Sequence, residues 1–276
     1  MTPPIITITT DFGLSDSYVA QMKGVILSIA PEARLVDVTH QVPRQDCFAA
    51  AAILADVVGA FPPGTIHLVV VDPGVGTDRR AVAVETHDAS NVIGPRFVAP
   101  DNGVLSEVLQ NRPIQRAVRL AEPRFWRAEV SDTFQGRDIF APVAAHWSRG
   151  VDLAEFGPPL EWPLIQLSAD RPVVQAGEIR GRIVRTDNFG NLITNIDAST
   201  LPESGRERLV VELGTQRIVG LSRCYGEKPT GELLALIGSS GRLEIAVCQG
   251  HAGEILAAWS GDPVSVKGLQ GNPKHE

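Results

Sequence analysis

The sequence predicts an α/β protein in two parts: a parallel-sheet α/β domain over residues 1–165 and a small all-β, barrel-like domain over residues 166–276. Three observations lead there. As far as Trp147, short apolar runs alternate with segments of helical period, the pattern of a parallel sheet wrapped by helices. After Glu178 the apolar runs are short and separated by Gly, Asn or Ser, with no convincing helix among them, as in a sandwich or barrel. The length of 276 residues, with 26 Gly and 20 Pro, suits two modest, turn-rich domains rather than a helical bundle.

Taken in order, Ile5–Thr9 is short and β-branched, a buried strand. Thr10 to Asp16 follows as a loop of turn residues. Val19, Met22, Ile26 and Ile29 recur at helical spacing, with Asp16 or Ser17 placed to cap that helix and Pro31 to end it. Arg34–Val38 is a second strand, and Ala-rich Phe48–Phe61 is a helix stopped by Pro62-Pro63-Gly64. Ile66–Val71 has no polar alternation, as expected of a strand buried on both faces. Ala81–Thr86 and Phe97–Ala99 extend the sheet, and Gly103–Leu109 and Ile139–Trp147 read as further helices. The proline-rich stretch from Gly157 to Gly177 reads as the interdomain connection. Strands are then expected at Glu178–Thr186, Leu192–Ile196, Arg208–Leu213, Arg217–Leu221, Leu233–Ile237, Leu243–Val247 and Val264–Lys267.

Composition excludes several classes of partner. A formal net charge of −7 argues against nucleic acid, which needs a basic face; a cationic or zwitterionic small molecule is easier to accept. Cys47, Cys224 and Cys248 are odd in number and far apart, so reduced, cytoplasmic thiols are expected rather than a disulfide framework. No basic segment precedes Ile5, and no apolar run approaches the ~20 residues needed to span a bilayer. The histidines show no metal-ligand spacing and no Ser sits in a nucleophile elbow, so neither a metal nor a cofactor is expected.

Polar clusters fall where strands end, which is where parallel α/β sheets bind ligands. They are Asp11 and Asp16 after the first strand, Val71-Asp72-Pro73-Gly74-Val75-Gly76-Thr77 with Arg79 after the third, Asp101-Asn102-Gly103, and Thr133-Phe134-Gln135-Gly136-Arg137-Asp138 before a helix. The second domain adds Asp187-Asn188-Phe189-Gly190-Asn191 and Gly238-Ser239-Ser240-Gly241. Plain structural readings exist for most: a helix cap at Asp16, a turn at Asp101–Gly103, a hairpin connection at Asn188–Asn191. The Gly74–Thr77 run lacks the spacing of a phosphate loop. Asp72, at the end of an apolar strand, needs a partner or a function, and Arg79 is the nearest candidate.

Five of these runs, Thr10-Asp11-Phe12-Gly13, Val71–Thr77 with Arg79, Ala99–Gly103, Phe134-x-Gly136-Arg137-Asp138 and Asp187-x-Phe189-Gly190-Asn191, stand in one order that resembles the S-adenosyl-L-methionine (SAM) hydroxide adenosyltransferases, relatives of the fluorinases and chlorinases. The resemblance implies an α/β domain followed by a β-barrel-like domain, a homotrimer with sites between subunits, and SAM or adenosine as the ligand. It places Asp11 at the ribose diol, Asp16, Asp187, Ser239 and Ser240 at the methionine part, and Asn191 at the adenine edge with Phe134 and Phe189 packing near it. Asp72 and Arg79 match two members of the hydrolases' Asp-Arg-His set; the third position holds Gln135.

The chemistry suits these residues. Methionine leaves a sulfonium as a neutral thioether, so no general acid is required. What is required is water held in line with C5′. Asp72 can accept the water's proton, and Gln135 can orient it without exchanging a proton. The resemblance also separates water from halide. Halide-using members lack this Asp, carry Ser where Gly136 stands, and have a long insertion where Thr86–Phe97 is short here. A halide beside a carboxylate in a dry site is repelled. The expected function is hydrolysis of SAM to adenosine and L-methionine; the alternatives are a halide adenosyltransferase and a SAM- or adenosine-binding protein with little turnover.

Overall fold

A computed structural model describes residues 3–87, 93–110, 112–161, 163–167, 171–175 and 177–268. The chain divides into two compact units, Met1–Leu167 and Ser168–Glu276. Among the described residues no helix is long and apolar enough to cross a membrane.

The first unit runs β1 (Ile5–Thr10), α1 (Tyr18–Ile29), β2 (Arg34–Thr39), α2 (Cys47–Val58), β3 (Ile66–Val70), β4 (Ala81–His87), β5 (Ile93–Pro100), α3 (Ser106–Leu109), β6 (Ile114–Arg119) and α4 (Ala141–Ser148). The strands form one sheet in the order β2-β1-β3-β5-β4-β6. Alternation along β3 shows why both faces are covered. Ile66, Leu68 and Val70 pack into a core with Met22 and Ile26 of α1 and Val143 and Ala144 of α4. Val69 and the following Val71 pack with Ala50 and Leu54 of α2 on the other face.

Two features depart from the expected parallel sheet. β4 runs antiparallel to both β5 and β6. Only residues 88–92 separate it from β5, too few for the crossover that a parallel pair needs. β6 was not expected, because only Val118 of its six residues is buried and the strand lies at the sheet edge.

The second unit contains β7 (Val173–Gln175), β8 (Glu178–Thr186), β9 (Leu192–Asp197), β10 (Val210–Leu213), β11 (Gln216–Val219), β12 (Leu233–Ile237), β13 (Arg242–Val247), α5 (Ala252–Leu256) and β14 (Pro263–Lys267). The order is β11-β10-β14-β8-β9-β13-β12, with β7 on β8 and every pair antiparallel. The Ser222 N–H donates to Ala235 O at 2.8 Å, which draws the chain after β11 against β12 and nearly closes the sheet into a barrel. The core is aliphatic, built on Ile179, Ile183, Leu192, Leu243, Ile245 and Val266. α5 corrects the expectation of a helix-free domain. It spans five residues, too few to show a 3.6-residue period, and is marked instead by His251 Nδ1 accepting from the Glu254 N–H at 3.1 Å. β7 is three exposed residues, too short for an apolar alternation to show.

The predicted helix at Ile139–Trp147 starts later, and the residues before it carry the site. Gly136–Phe140 winds as a π-turn into α4. Pro142 has no N–H for the Asp138 carbonyl, which accepts from the Arg127 N–H at 2.9 Å instead. The fully buried Asp138 carboxylate holds the turn down. It accepts from Arg137 Nε at 2.7 Å, Arg127 Nη1 at 3.0 Å and the Ser131 N–H at 2.9 Å. Burial opposes its charge, but the bonds from Arg137, Ser131 and Arg127 outweigh burial and hold the carboxyl below its usual range. A depressed folded pKa stabilises fully above the unfolded value, near pH 4, and the stabilisation is lost as pH falls through the folded value. Asp138→Asn should therefore cost about 2–4 kcal/mol at neutral pH, part of the buried-pair cost being relieved because both arginines reach solvent. In urea titrations the gap between the two forms should close in acid; a gap that stays constant below pH ~4 would contradict this role.

Candidate active site

β2, β1 and β3 are adjacent and parallel, so their carboxyl ends share one edge of the sheet. A cleft of about 250 Å³ opens there, walled by Asp11 and Phe12 after β1, Arg44 and Gln45 after β2, Asp72 and Val75 after β3, and Thr133 to Gly136 ahead of the π-turn. A larger hollow of about 520 Å³ lies along β6. It contains none of the residues the sequence singles out, and its Arg116 is already committed to Glu85 and Asp152.

Asp72, Arg79 and Gln135 meet in the cleft. Arg79 Nε donates to both Asp72 oxygens, at 2.9 and 2.8 Å, and Nη2 donates to Asp72 Oδ2. The same Nη2 donates to Gln135 Oε1 at 2.5 Å. The Gly74 N–H adds a bond to Asp72 Oδ1 at 3.2 Å. Only 5% of the Asp72 side chain and 10% of Arg79 are exposed, so water screens this pair poorly. A guanidinium cannot accept, so Gln135 must turn Oε1 to Arg79 and its amide N–H groups elsewhere. The ring of Phe140 lies 5.0 Å behind the guanidinium.

Asp11 accepts from the Gln45 N–H at 2.8 Å through Oδ2, while no bond reaches Oδ1. A carboxylate with one oxygen free and the other half used can take two hydroxyls side by side. Phe134 is buried edge-on against Phe12 at 5.8 Å and Tyr18 at 5.0 Å, under Arg137 at 4.9 Å. Gly136 is a close approach: a Cβ there would stand 3.2 Å from Val70 Cγ1 and 3.5 Å from Met22 Sδ and from Phe12 Cζ. Asp16 is exposed and not among the cleft residues, and Ser17, at the N-cap of α1, accepts from Gln21 Nε2 at 2.9 Å and makes no cap bond, so neither residue caps by side chain.

In the second unit, Asp187 closes its own loop. Oδ1 accepts from the Phe189 and Asn191 N–H groups, each at 2.9 Å, and Oδ2 from Asn191 Nδ2 at 2.9 Å. That last bond leaves Asn191 Oδ1 as an acceptor and one position open on Asp187 Oδ2. Gly190 has φ +86°, and a Cβ there would stand 2.3 Å from the His251 ring, so the turn requires glycine. Phe189 is 78% exposed at its tip. Ser239 and Ser240 form the β12–β13 turn; Ser240 Oγ is buried without a hydrogen-bond partner.

Among the described residues, no group of three or more His, Cys, Asp and Glu could hold a metal ion. Sequence reasoning passed over Arg44 and Gln45, although they follow a strand end as Asp11 and Asp72 do; no apolar or glycine pattern marked them. Gln45 has φ +63°, a conformation that non-glycine residues rarely adopt.

The chain is similar to known proteins over both of its units. The model of the SAM hydroxide adenosyltransferase N-terminal domain matches residues 6–157, and that of the C-terminal domain matches residues 181–265. The (R)-S-adenosyl-L-methionine hydrolase of Salinispora tropica is 37% identical, with 95% of this chain and 97% of that protein covered. The fluorinase of an Actinoplanes species is 31% identical and covers less, 73% of this chain and 74% of its own length. The crystal structure of an uncharacterized conserved protein from Thermotoga maritima superposes with a TM-score of 0.88 at 36% identity, covering 95% of this chain and all of that one. With both domain models matched in order and full-length relatives above 30% identity, the chain belongs to the SAM hydroxide adenosyltransferase family.

Proposed function

We propose that the protein hydrolyses S-adenosyl-L-methionine at C5′, giving adenosine and L-methionine. The observation that carries this reading is the Asp72–Arg79–Gln135 group at the inner wall of a cleft that also holds Asp11. The hydrolase relatives support it, being similar over nearly the whole chain where the fluorinases are similar over about three quarters. Asp11 takes the ribose diol. Phe134 packs near the adenine, with Phe189 and the free Oδ1 of Asn191 at its edge; Asp16, Asp187, Ser239 and Ser240 serve the methionine part.

In the reaction, water forms the C5′–O bond as the C5′–S bond breaks. The sulfur keeps the electron pair and leaves as neutral methionine. Asp72 accepts the water's proton and passes it to solvent. Gln135, bound through Oε1 to Arg79, offers an N–H to the water oxygen and so directs its remaining lone pair. A halide adenosyltransferase is the weaker reading. A halide at this place would face a carboxylate oxygen, and a side chain at Gly136 would press on Val70, whose Cγ1 would stand 3.2 Å from a Cβ there. The decisive assay is incubation with SAM and a chelator followed by chromatography. Adenosine and methionine should appear in equal amounts with EDTA present. Binding without product, or a 5′-halogenated nucleoside in chloride, would overturn the reading.

The two acceptors on Arg79 can be separated by substitution. Asp72→Asn should lower kcat by about 10²–10⁴-fold while adenosine affinity stays within a few-fold. Gln135→His should raise kcat by about tenfold or less, since Asp72 already takes the proton. It should also add a pH dependence. Protonated below pH ~6.5, the new imidazole could not accept from Arg79, so turnover would fall on the acid side. A flat profile, or a kcat below the parent at every pH, would show that position 135 only orients. Equal losses of binding and turnover in Asp72→Asn would make Asp72 structural.

We further propose a homotrimer. The large apolar side chains left exposed support assembly, among them Leu14 at 69%, Phe189 at 78% and Trp259 at 61%. Sedimentation should give the mass of three chains; a fully active monomer would exclude this.

A further inference from the structure

We propose that His40 is a positioning residue for Asp11, which rests on the reading of Asp11 as the ribose ligand. His40 follows β2, next to the register shift that sets Thr9 opposite Thr39. Its ring is buried, and Nδ1 lies 2.9 Å from Thr10 Oγ1. The Phe12 N–H donates to that same Thr10 oxygen at 3.3 Å. Nε2 lies 3.0 Å from Asp37 Oδ1, although not in line for a hydrogen bond; a carboxylate on that side draws the ring proton to Nε2 and leaves Nδ1 to accept from the Thr10 hydroxyl. Asp37 in turn accepts from Lys23 Nζ at 2.5 Å. His40 also acts through its backbone: its carbonyl accepts from the Gly13 N–H at 2.7 Å.

The residues on both sides of Asp11 are therefore tied to one histidine. Thr10 is held by its side chain, Phe12 through Thr10, and Gly13 by its N–H. The same segment then supplies the Gln45 N–H that fixes Asp11 Oδ2. Neither His40 nor Thr10 is among the residues that wall the cleft, so His40 sets where the Asp11 carboxylate stands without meeting the substrate. A diol needs both oxygens of that carboxylate at one height, which is a condition on direction rather than on charge.

The test compares adenosine with 2′,3′-dideoxyadenosine, which lacks the diol, by calorimetry on the full chain. The parent should prefer adenosine by about tenfold or more, as expected of hydrogen bonds to a charged group. His40→Ala should reduce this preference to about threefold or less by weakening adenosine alone. Thr10→Val, which keeps the shape and removes the hydroxyl, should do the same, and it carries the test if the alanine variant fails to fold. The double variant should lose no more than either single one. His40→Asn, whose Oδ1 can stand where Nδ1 stood, should restore the preference. The proposal is overturned if either single variant keeps the parent's preference, or if both ligands weaken equally, which is what a merely structural histidine would give. A parent that binds both nucleosides alike would instead remove Asp11 from the diol; the SAM assay is read separately from either result.

Discussion

The cleft depends on one guanidinium. Arg79 can only donate, so every group that meets it must turn an acceptor inward. Asp72 gives both oxygens, and Gln135 gives Oε1 and so presents its N–H groups to the cleft. Phe140 closes the other side of the guanidinium, which leaves its plane no freedom. Phe140 is itself fully buried and ends the π-turn that Asp138 pins beneath Arg127 and Arg137. Two arginine clusters thus stand back to back. The outer one, around Asp138, fixes the backbone of Gly136–Phe140. The inner one converts that fixed backbone into fixed directions for a carboxylate and an amide.

The same arrangement decides which nucleophile is admitted. At long range Arg79 offsets the charge of Asp72, so the cleft does not repel anions strongly. At contact distance the balance differs, because Asp72 lines the cleft and Arg79 does not, so an incoming atom meets the carboxylate first. Water can donate to such an oxygen and a halide cannot. Packing points the same way. A methyl at Gly136 would meet Met22 and Phe12 at ordinary contact, 3.5 Å, and would press on Val70 Cγ1 at 3.2 Å. Selection against halide therefore rests chiefly on charge, and the packing at Gly136 adds less.

Much of this was legible in the sequence, and the limits have physical causes. Buried strands and long helices announce themselves by apolar runs and period, so β1, β2, β3 and the strands of the barrel fall where expected. Edge strands do not: β6 buries one residue and β7 none. The single-turn α5 is shorter than its own period needs to be seen. The pairing of Asp72 with Arg79 could be guessed because a charged residue ending a buried strand demands a partner. The shared bond from Arg79 to Gln135 spans 56 positions and could not be inferred from spacing. His40 was weighed only as a metal ligand; its link to Thr10 depends on a register shift between two strands, which no local pattern encodes. Asp16, an apparent cap in sequence, stands exposed and makes no cap by its side chain.

The glutamine at position 135 follows from what the chemistry leaves undone. A sulfonium carries its positive charge away from carbon as the bond breaks, so the leaving side asks for no proton. On the attacking side one proton must go, and in the proposed reaction Asp72, held by Arg79, accepts it. A second titrating group would speed the step only if proton removal limited it, whereas alignment of water with C5′ limits it whenever the oxygen is free to rotate. An amide locked to Arg79 supplies that alignment at any pH, and its donor direction cannot invert because inversion would set N–H against N–H. On this view the residue at position 135 is selected for its direction. A histidine would contribute the same direction only in its neutral form, with the added possibility of losing it in acid.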